Sequence, residues 1–314
     1  MIFTAMLRLL GLVSPFFFWG TAMIVMKALL PETGPWFVGA FRLIPAGVLV
    51  LTAALVLGRP QPRTWLAWLG ILLFALVDGA LFQGFLVTGL ARTQAGLGSV
   101  MIDSQPLAVA LLAWLLYGEV IGLWGWIGLV LGVTGIALIA LSPQEWLQGV
   151  NWWGHGEWWM LLAALAMAVG TVMMRWLSRW ADPLVATGWH MVLGGVPLLV
   201  LSVMQEGPVW QHLTGWDWLG LAYTTVLGSA ASYGLFFYLA AKGNLTSLSA
   251  LTFLTPVFAL TFGALFLGEQ LTTWQWVGVI LTLVSITLIN QRHRLQPTPV
   301  AEPVPVPVSV ESRP

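Results

Sequence analysis

Residues 118–128 read Gly-Glu-Val-Ile-Gly-Leu-Trp-Gly-Trp-Ile-Gly, and residues 268–278 read Gly-Glu-Gln-Leu-Thr-Thr-Trp-Gln-Trp-Val-Gly. The Gly-Glu pair, both tryptophans and the final glycine recur after a shift of 150 positions. Carried outward, the same shift aligns 68–139 with 218–289 without a gap, giving 18 identities in 72 positions. About five or six would be expected by chance at this composition. The matches include Trp68-Leu69-Gly70 with Trp218-Leu219-Gly220, Gly84 with Gly234, Ser99 with Ser249, and Pro106 with Pro256. Upstream, at a shift of 148 to 150, Gly20-Thr21 pairs with Gly170-Thr171 and Pro35 with Pro183. Each of these prolines stands seven residues before Arg42 or His190, so the chain reads as two related halves.

The medium follows from composition. Of 314 residues 59% are hydrophobic and 8% charged, with mean hydropathy +0.88. Too little polar surface exists to enclose such a chain in water, so the bilayer must be its solvent. Apolar runs long enough to cross about 30 Å of hydrocarbon predict helices near 9–30, 36–57, 65–88, 95–117, 123–142, 157–180, 183–204, 218–240, 246–267 and 274–290. The first, after Arg8, is too long for a signal peptide's apolar region and reads as a retained helix. The expected fold is all-α: a polytopic membrane protein of ten transmembrane helices. Its expected division is a first repeat over 1–142, an outer linker over 143–156, a second repeat over 157–290 and a Pro-rich tail over 291–314. Five helices per half is an odd number, which forces the halves into opposite orientation as inverted repeats. Two similar halves that exchange conformations can open a central site to either side of the membrane in turn.

Basic residues orient the chain, because cytoplasmic loops retain Lys and Arg. With the N-terminus inside, Arg8, Arg59, Arg63, Arg175, Arg179, Lys242, Arg292, Arg294 and Arg313 are cytoplasmic, against Arg92 in an outer loop. The expectation is an inner (plasma) membrane protein with both termini in the cytoplasm. Beyond residue 290, the run Pro-Thr-Pro-Val-Ala-Glu-Pro-Val-Pro-Val-Pro-Val has no helical period and predicts an extended, disordered tail.

Several function classes are disfavoured. Zero cysteines exclude disulfides and thiolate chemistry, and zero net charge gives no attraction to nucleic acid. No HExxH, clustered metal ligands or P-loop is present, so no cofactor, metal, ATP-driven step or enzymatic activity is expected. The partners expected are a small-molecule substrate and membrane lipid.

Trp19-Gly20 in helix 1, Phe41-Arg42 in helix 2, and Pro, Gly-Glu and Trp-x-Gly in order in each half resemble the EamA-type drug/metabolite transporter superfamily. The resemblance covers about residues 9–290 and, within the superfamily, is closest to the YddG-type aromatic amino-acid exporters. It implies that helices 1–4 and 6–9 surround a central cavity, that helices 5 and 10 are peripheral, and that the activity is export of aromatic or other apolar amino acids. Alternatives are export of unrelated drugs or metabolites, or a non-transporting membrane enzyme or sensor. The second half departs from the pattern, with Val169-Gly170 for Trp-Gly and His190 at the position of Arg42.

Charge inside a bilayer costs about 2.5–3.5 kcal/mol per residue on insertion scales, so it faces the bundle interior and marks a site or an ion-pair network. Lys27, Arg42, Asp78 and Asp103 stand within predicted helices of the first half, about 4–15 Å from the outer face at 1.5 Å per residue. Their repeat partners are Leu177, His190, Gly228 and Phe253, so the repeated fold does not itself demand the charge. Arg42 and one aspartate could bind the carboxylate and ammonium of a zwitterion, or all four charges could be structural. Asp78 and Phe82, with Gln83 beside them, and Tyr233 and Phe237 fall at i, i+4 on helices 3 and 8, which offers polar groups and aromatic walls. Most of the 20 tryptophans lie near helix ends as an interfacial belt; Trp19, deep in helix 1, is the candidate for the cavity wall. His190 could titrate near neutral pH or be a satisfied buried histidine. Pro106 and Pro256 read as equivalent hinges, and Glu119 and Glu269 as carboxylates closing their helices, able to reach a helix N-terminus or to take part in proton coupling.

Overall fold

The computed structural model describes residues 2–141, 154–233, 235 and 254–295, and all regular structure in them is helical. Eight helices among them are long and apolar enough to cross a membrane. In chain order these are α1 (Ile2–Thr33), α2 (Pro35–Val56), α3 (Trp65–Arg92), α4 (Ala95–Tyr117), α5 (Gly122–Ala140), α6 (Gly156–Leu177), α7 (Pro183–Gln205) and, last in the chain, α10 (Thr273–Leu295). Between α7 and α10 lie two further helical stretches: α8, which begins at Gly215–Thr225 and continues through Val226–Ala231, and α9 (Leu254–Phe266). The predicted end at 240 and start at 246 lie outside the described residues; the other predicted starts and ends agree within a few residues except where no breaker intervenes. α1 begins seven residues before the predicted start, and α10 runs to Leu295, so the first residues assigned to the Pro-rich tail are helical.

The breaks follow their residues. Gly34 takes the left-handed φ of 73° that admits Pro35 at the first helical position of α2. Asp182 caps α7 by accepting from the backbone N–H of Leu184 and Val185 at 3.0 and 3.2 Å. Thr214 and Asp217 cap α8 reciprocally. α4 and α9 end alike: Gly118 and Gly268 are left-handed, and the N–H of Glu119 and Glu269 bond the carbonyls of Ala113 and Gly263, six residues back. These four positions are equivalent under the repeat.

Two helices leave α-geometry at matching places. α3 is π-helical over Ala75–Leu81, and α8 is π-helical over Val226–Ala231, which a shift of 150 places on all but the first residue of the same stretch. α4 breaks at Ser104 between Ala95–Asp103 and Gln105–Tyr117, because Pro106 has no N–H to continue the ladder and Leu107 bonds Ser104 at 2.9 Å instead.

Packing joins the two halves. α2 lies antiparallel against α7, with Trp36 at the start of α2 bonded to Glu206 just past the end of α7. α5 lies antiparallel against α10, where Ser285 donates to the Gly128 carbonyl at 2.6 Å. A Cβ on Gly135 would meet the Gly278 carbonyl at 2.7 Å, and the converse is equally close. Small residues therefore let these backbones touch, which is how helices associate without a hydrophobic drive between them. The other neighbours are reciprocal: α1 meets α8 and α9 while α6 meets α3 and α4, and α2 meets α8 while α3 meets α7. The main core gathers Met26, Val38, Phe82, Leu97 and Met160 from five helices.

Candidate functional site

Arg42 projects from the middle of α2 and is 6% exposed. Its Nε donates to Ser229 Oγ at 2.7 Å, and its Nη1 faces Gln83 Oε1 at 3.4 Å and Met26 Sδ at 3.3 Å. Ser229 in turn donates to the Thr224 carbonyl five residues back at 3.0 Å, so the π segment of α8 aims this hydroxyl. All these partners are neutral. Among the described residues no carboxylate lies within ion-pair distance of the guanidinium.

Asp78 sits in the π segment of α3. Its Oδ2 lies 3.2 Å from His190 Nε2 on α7, and His190 Nδ1 lies 2.6 Å from the Thr187 carbonyl. The imidazole rests on Phe74 at 4.3 Å between ring centres. Two glycines make the pair possible. A Cβ on Gly170 of α6 would overlap the Asp78 carboxyl, and one on Gly79 would meet Gly194 Cα at 2.8 Å. Tyr233 of α8 lies within electrostatic reach of both Asp78 and Arg42, and its ring packs edge-on against Trp19 at 5.5 Å. Arg42, Gln83, Asp78, His190, Tyr233 and Trp19 thus form one neighbourhood built from α1, α2, α3, α7 and α8.

Other candidates lie elsewhere. Phe82 is 4% exposed in the core beside Leu86 and Met101. The π turn brings Gln83, five residues after Asp78, toward Arg42, where an α-turn would have offered Phe82. Asp103 accepts from Ser99 Oγ at 3.2 Å within α4. Lys27 donates to the Leu90 carbonyl at 2.7 Å and lines a separate end cavity of about 600 Å³ with Arg92, Glu157 and Glu269. The four intramembrane charges of the first half therefore do not form one balanced cluster. Glu269 caps α4, accepting from Ala95 N–H at 2.5 Å and Gly96 N–H at 3.0 Å, while Glu119 pairs with Arg175 at 2.6 Å. Pro106 adjoins the α4 break; Pro256 lies near the start of the described part of α9, and Phe237 lies outside the described residues. Sequence reasoning missed Ser229, Met26 and Thr187, and nothing in the residue pattern marks the π segments that bring Ser229 into place.

Two stretches of the chain, 6–141 and 154–291, each match the EamA-like transporter family. The chain belongs to that family. Among its relatives, the protein named "Uncharacterized transporter sll0355" from Synechocystis sp. is 60% identical over 300 residues, covering 91% of both chains. "WAT1-related protein At3g02690, chloroplastic" from Arabidopsis thaliana is 58% identical over 285 residues, covering 89% of this chain and 68% of that protein. "Protein PecM" of Dickeya dadantii is 29% identical over 290 residues, covering 89% of this chain and 93% of that protein. A solved crystal structure shares the fold with a TM-score of 0.59 and 17% identity, over 90% of this chain and 99% of that one. This EamA protein is a multi-pass membrane protein of a transporter family, and family membership supports a small-molecule substrate in a lipid environment.

Proposed function

We propose that this EamA protein is a secondary transporter that exports aromatic and other apolar amino acids by alternating access of two inverted five-helix repeats. The observation that carries the cargo is the buried Arg42 guanidinium, held by neutral groups and so left with its charge for a ligand. A guanidinium binds a carboxylate through two parallel N–H donors, and the nearby Asp78 offers an anion to an ammonium. Trp19 and Tyr233 supply an apolar wall for the side chain.

The inverted arrangement is supported by direction. α2 and α7 occupy equivalent places in the two halves and run antiparallel, as do α5 and α10, and the neighbours of the remaining helices are reciprocal. Ten crossings are completed if α8 and α9 extend as the apolar runs 218–240 and 246–267 suggest. The repeats would then be 1–142 and 157–290, with a linker over 143–156. The bias of Lys and Arg favours an inner membrane location with both termini cytoplasmic.

A second reading, export of other metabolites of the same size, draws on one feature. Asp78 already has His190 as a partner, which leaves Arg42 able to hold a simple organic anion by itself. The test is uptake into proteoliposomes of labelled amino acids beside aromatic acids that lack the amino group, with and without a pH gradient. Accumulation of the amino acids alone supports the first reading, equal uptake of both classes supports the second, and uptake of neither overturns both.

A further inference from the structure

The geometry around His190 fixes where its protons can be. A carbonyl oxygen only accepts hydrogen bonds, so Nδ1, at 2.6 Å from the Thr187 carbonyl, must carry a hydrogen. In the neutral ring Nε2 is then a bare lone pair, yet it lies 3.2 Å from Asp78 Oδ2. An ionised carboxylate is also acceptor-only. The contact is a hydrogen bond only when one further proton lies between the two atoms, as imidazolium with carboxylate or as neutral ring with carboxylic acid.

We infer that Asp78 and His190 together bind one exchangeable proton, and that the ammonium of a cargo amino acid displaces it. The inference rests on the amino-acid reading above for the cargo and on the pair's own geometry for the proton. With the proton bound, the pair carries no net charge. Once the proton leaves to solvent, the imidazole is neutral and Asp78 carries one negative charge, which the incoming ammonium matches. Proton and ammonium compete for one carboxylate, so the transporter holds one or the other. By linkage, proton flow in one direction then drives cargo in the other.

The surroundings favour such a site over a fixed ion pair. α7 carries no titratable side chain other than His190, and α2 contributes only Arg42. α6 presents Gly170 to the carboxyl, its own titratable groups, Glu157 and Arg175, lying at its ends and bonded to Thr93 and Glu119. α3 adds only Arg92, at its far end. From α8 Tyr233 faces both Asp78 and Arg42, while Asp103 on α4 is bonded to Ser99. Arg42 is therefore the cation nearest in role. It holds the cargo carboxylate whichever way the proton moves, and the exchange happens at Asp78.

Protein labelled with ¹⁵N-histidine, studied by NMR in micelles, tests the proton site without any cargo. The four histidines give four ring signals, and His190→Gln assigns the one of interest. The expected ring keeps hydrogen on Nδ1 and exchanges its other proton at Nε2, with a midpoint that moves in Asp78→Asn. A ring that holds its hydrogen on Nε2 throughout, or a midpoint unmoved by Asp78→Asn, overturns the site. Adding phenylalanine or leucine to weakly buffered protein should release about one proton for each molecule bound, and none from Asp78→Asn. Binding, seen as a rise in melting temperature, without proton release overturns the exchange. Failure of every amino acid to bind overturns the cargo reading and the exchange with it, while the ring titration still decides the proton site.

Discussion

Arg42 and Ser229, 187 residues apart on α2 and α8, are joined by a 2.7 Å hydrogen bond from the guanidinium Nε to the hydroxyl. That bond occupies the Nε edge of the guanidinium, while Nη1 is directed at Gln83 and Met26. Hydrogen bonds to charged groups contribute about 1.5–3 kcal/mol. Ser229→Ala is therefore expected to weaken cargo binding by about tenfold or more, because the fork loses its anchor. A substrate titration on purified protein measures it, and unchanged affinity would show that Ser229 does not aim Arg42.

Arg42→Lys keeps the charge and loses the planar fork. Transport is expected to fall at least about tenfold while the melting temperature stays near that of the wild type, since among the described residues no carboxylate depends on the guanidinium for its partner. A large drop in melting temperature with unchanged cargo affinity would make Arg42 structural.

Gly79 and Gly194 hold α3 against α7 beside the Asp78–His190 pair. A methyl at position 79 would lie 2.8 Å from Gly194 Cα and 2.9 Å from the His190 carbonyl, both backbone atoms that cannot turn aside. Gly79→Ala should cost about 1–3 kcal/mol, as overpacking does. Gly215→Ala, where an added Cβ meets nothing within 4 Å, is the matched control and should leave the melting temperature unchanged or raised.

Glu269, the repeat equivalent of Glu119, holds the start of α4. Glu269→Ala strands the N–H groups of Ala95 and Gly96 at the start of α4 and should lower stability by about 1–2 kcal/mol. An unchanged melting temperature would contradict the capping role.

Pro106→Ala restores an N–H at the break in α4. The variant should insert and melt normally yet transport more slowly, because a straightened helix alters gating more than bilayer compatibility. Wild-type flux in the variant would remove the hinge.

The eight spans among the described residues were legible because a bilayer imposes length, and Gly, Pro and capping residues punctuate the apolar runs at 34–35, 118, 182–183 and 268. The paired halves were legible in the repeat itself. The site was legible only in its separate residues. Asp78 and His190 both stand out as polar groups at membrane depth, but 112 positions apart they carry no signal that they touch. Ser229 is an ordinary serine in an apolar run until a π turn rotates it toward Arg42. The same effect buries Phe82 and turns Gln83 inward, which an i, i+4 argument on a regular helix cannot anticipate. Lys27 reads as a buried charge by position, yet its long side chain reaches the carbonyls at the end of α3 and leaves the middle of the bundle.

The most direct test is accumulation of a labelled aromatic amino acid in proteoliposomes holding the wild-type chain, with Arg42→Lys alongside. Concentration of the label against its gradient when a pH difference is imposed, and its loss in Arg42→Lys, is the predicted result. A wild-type protein that moves no amino acid under any gradient would contradict the assignment.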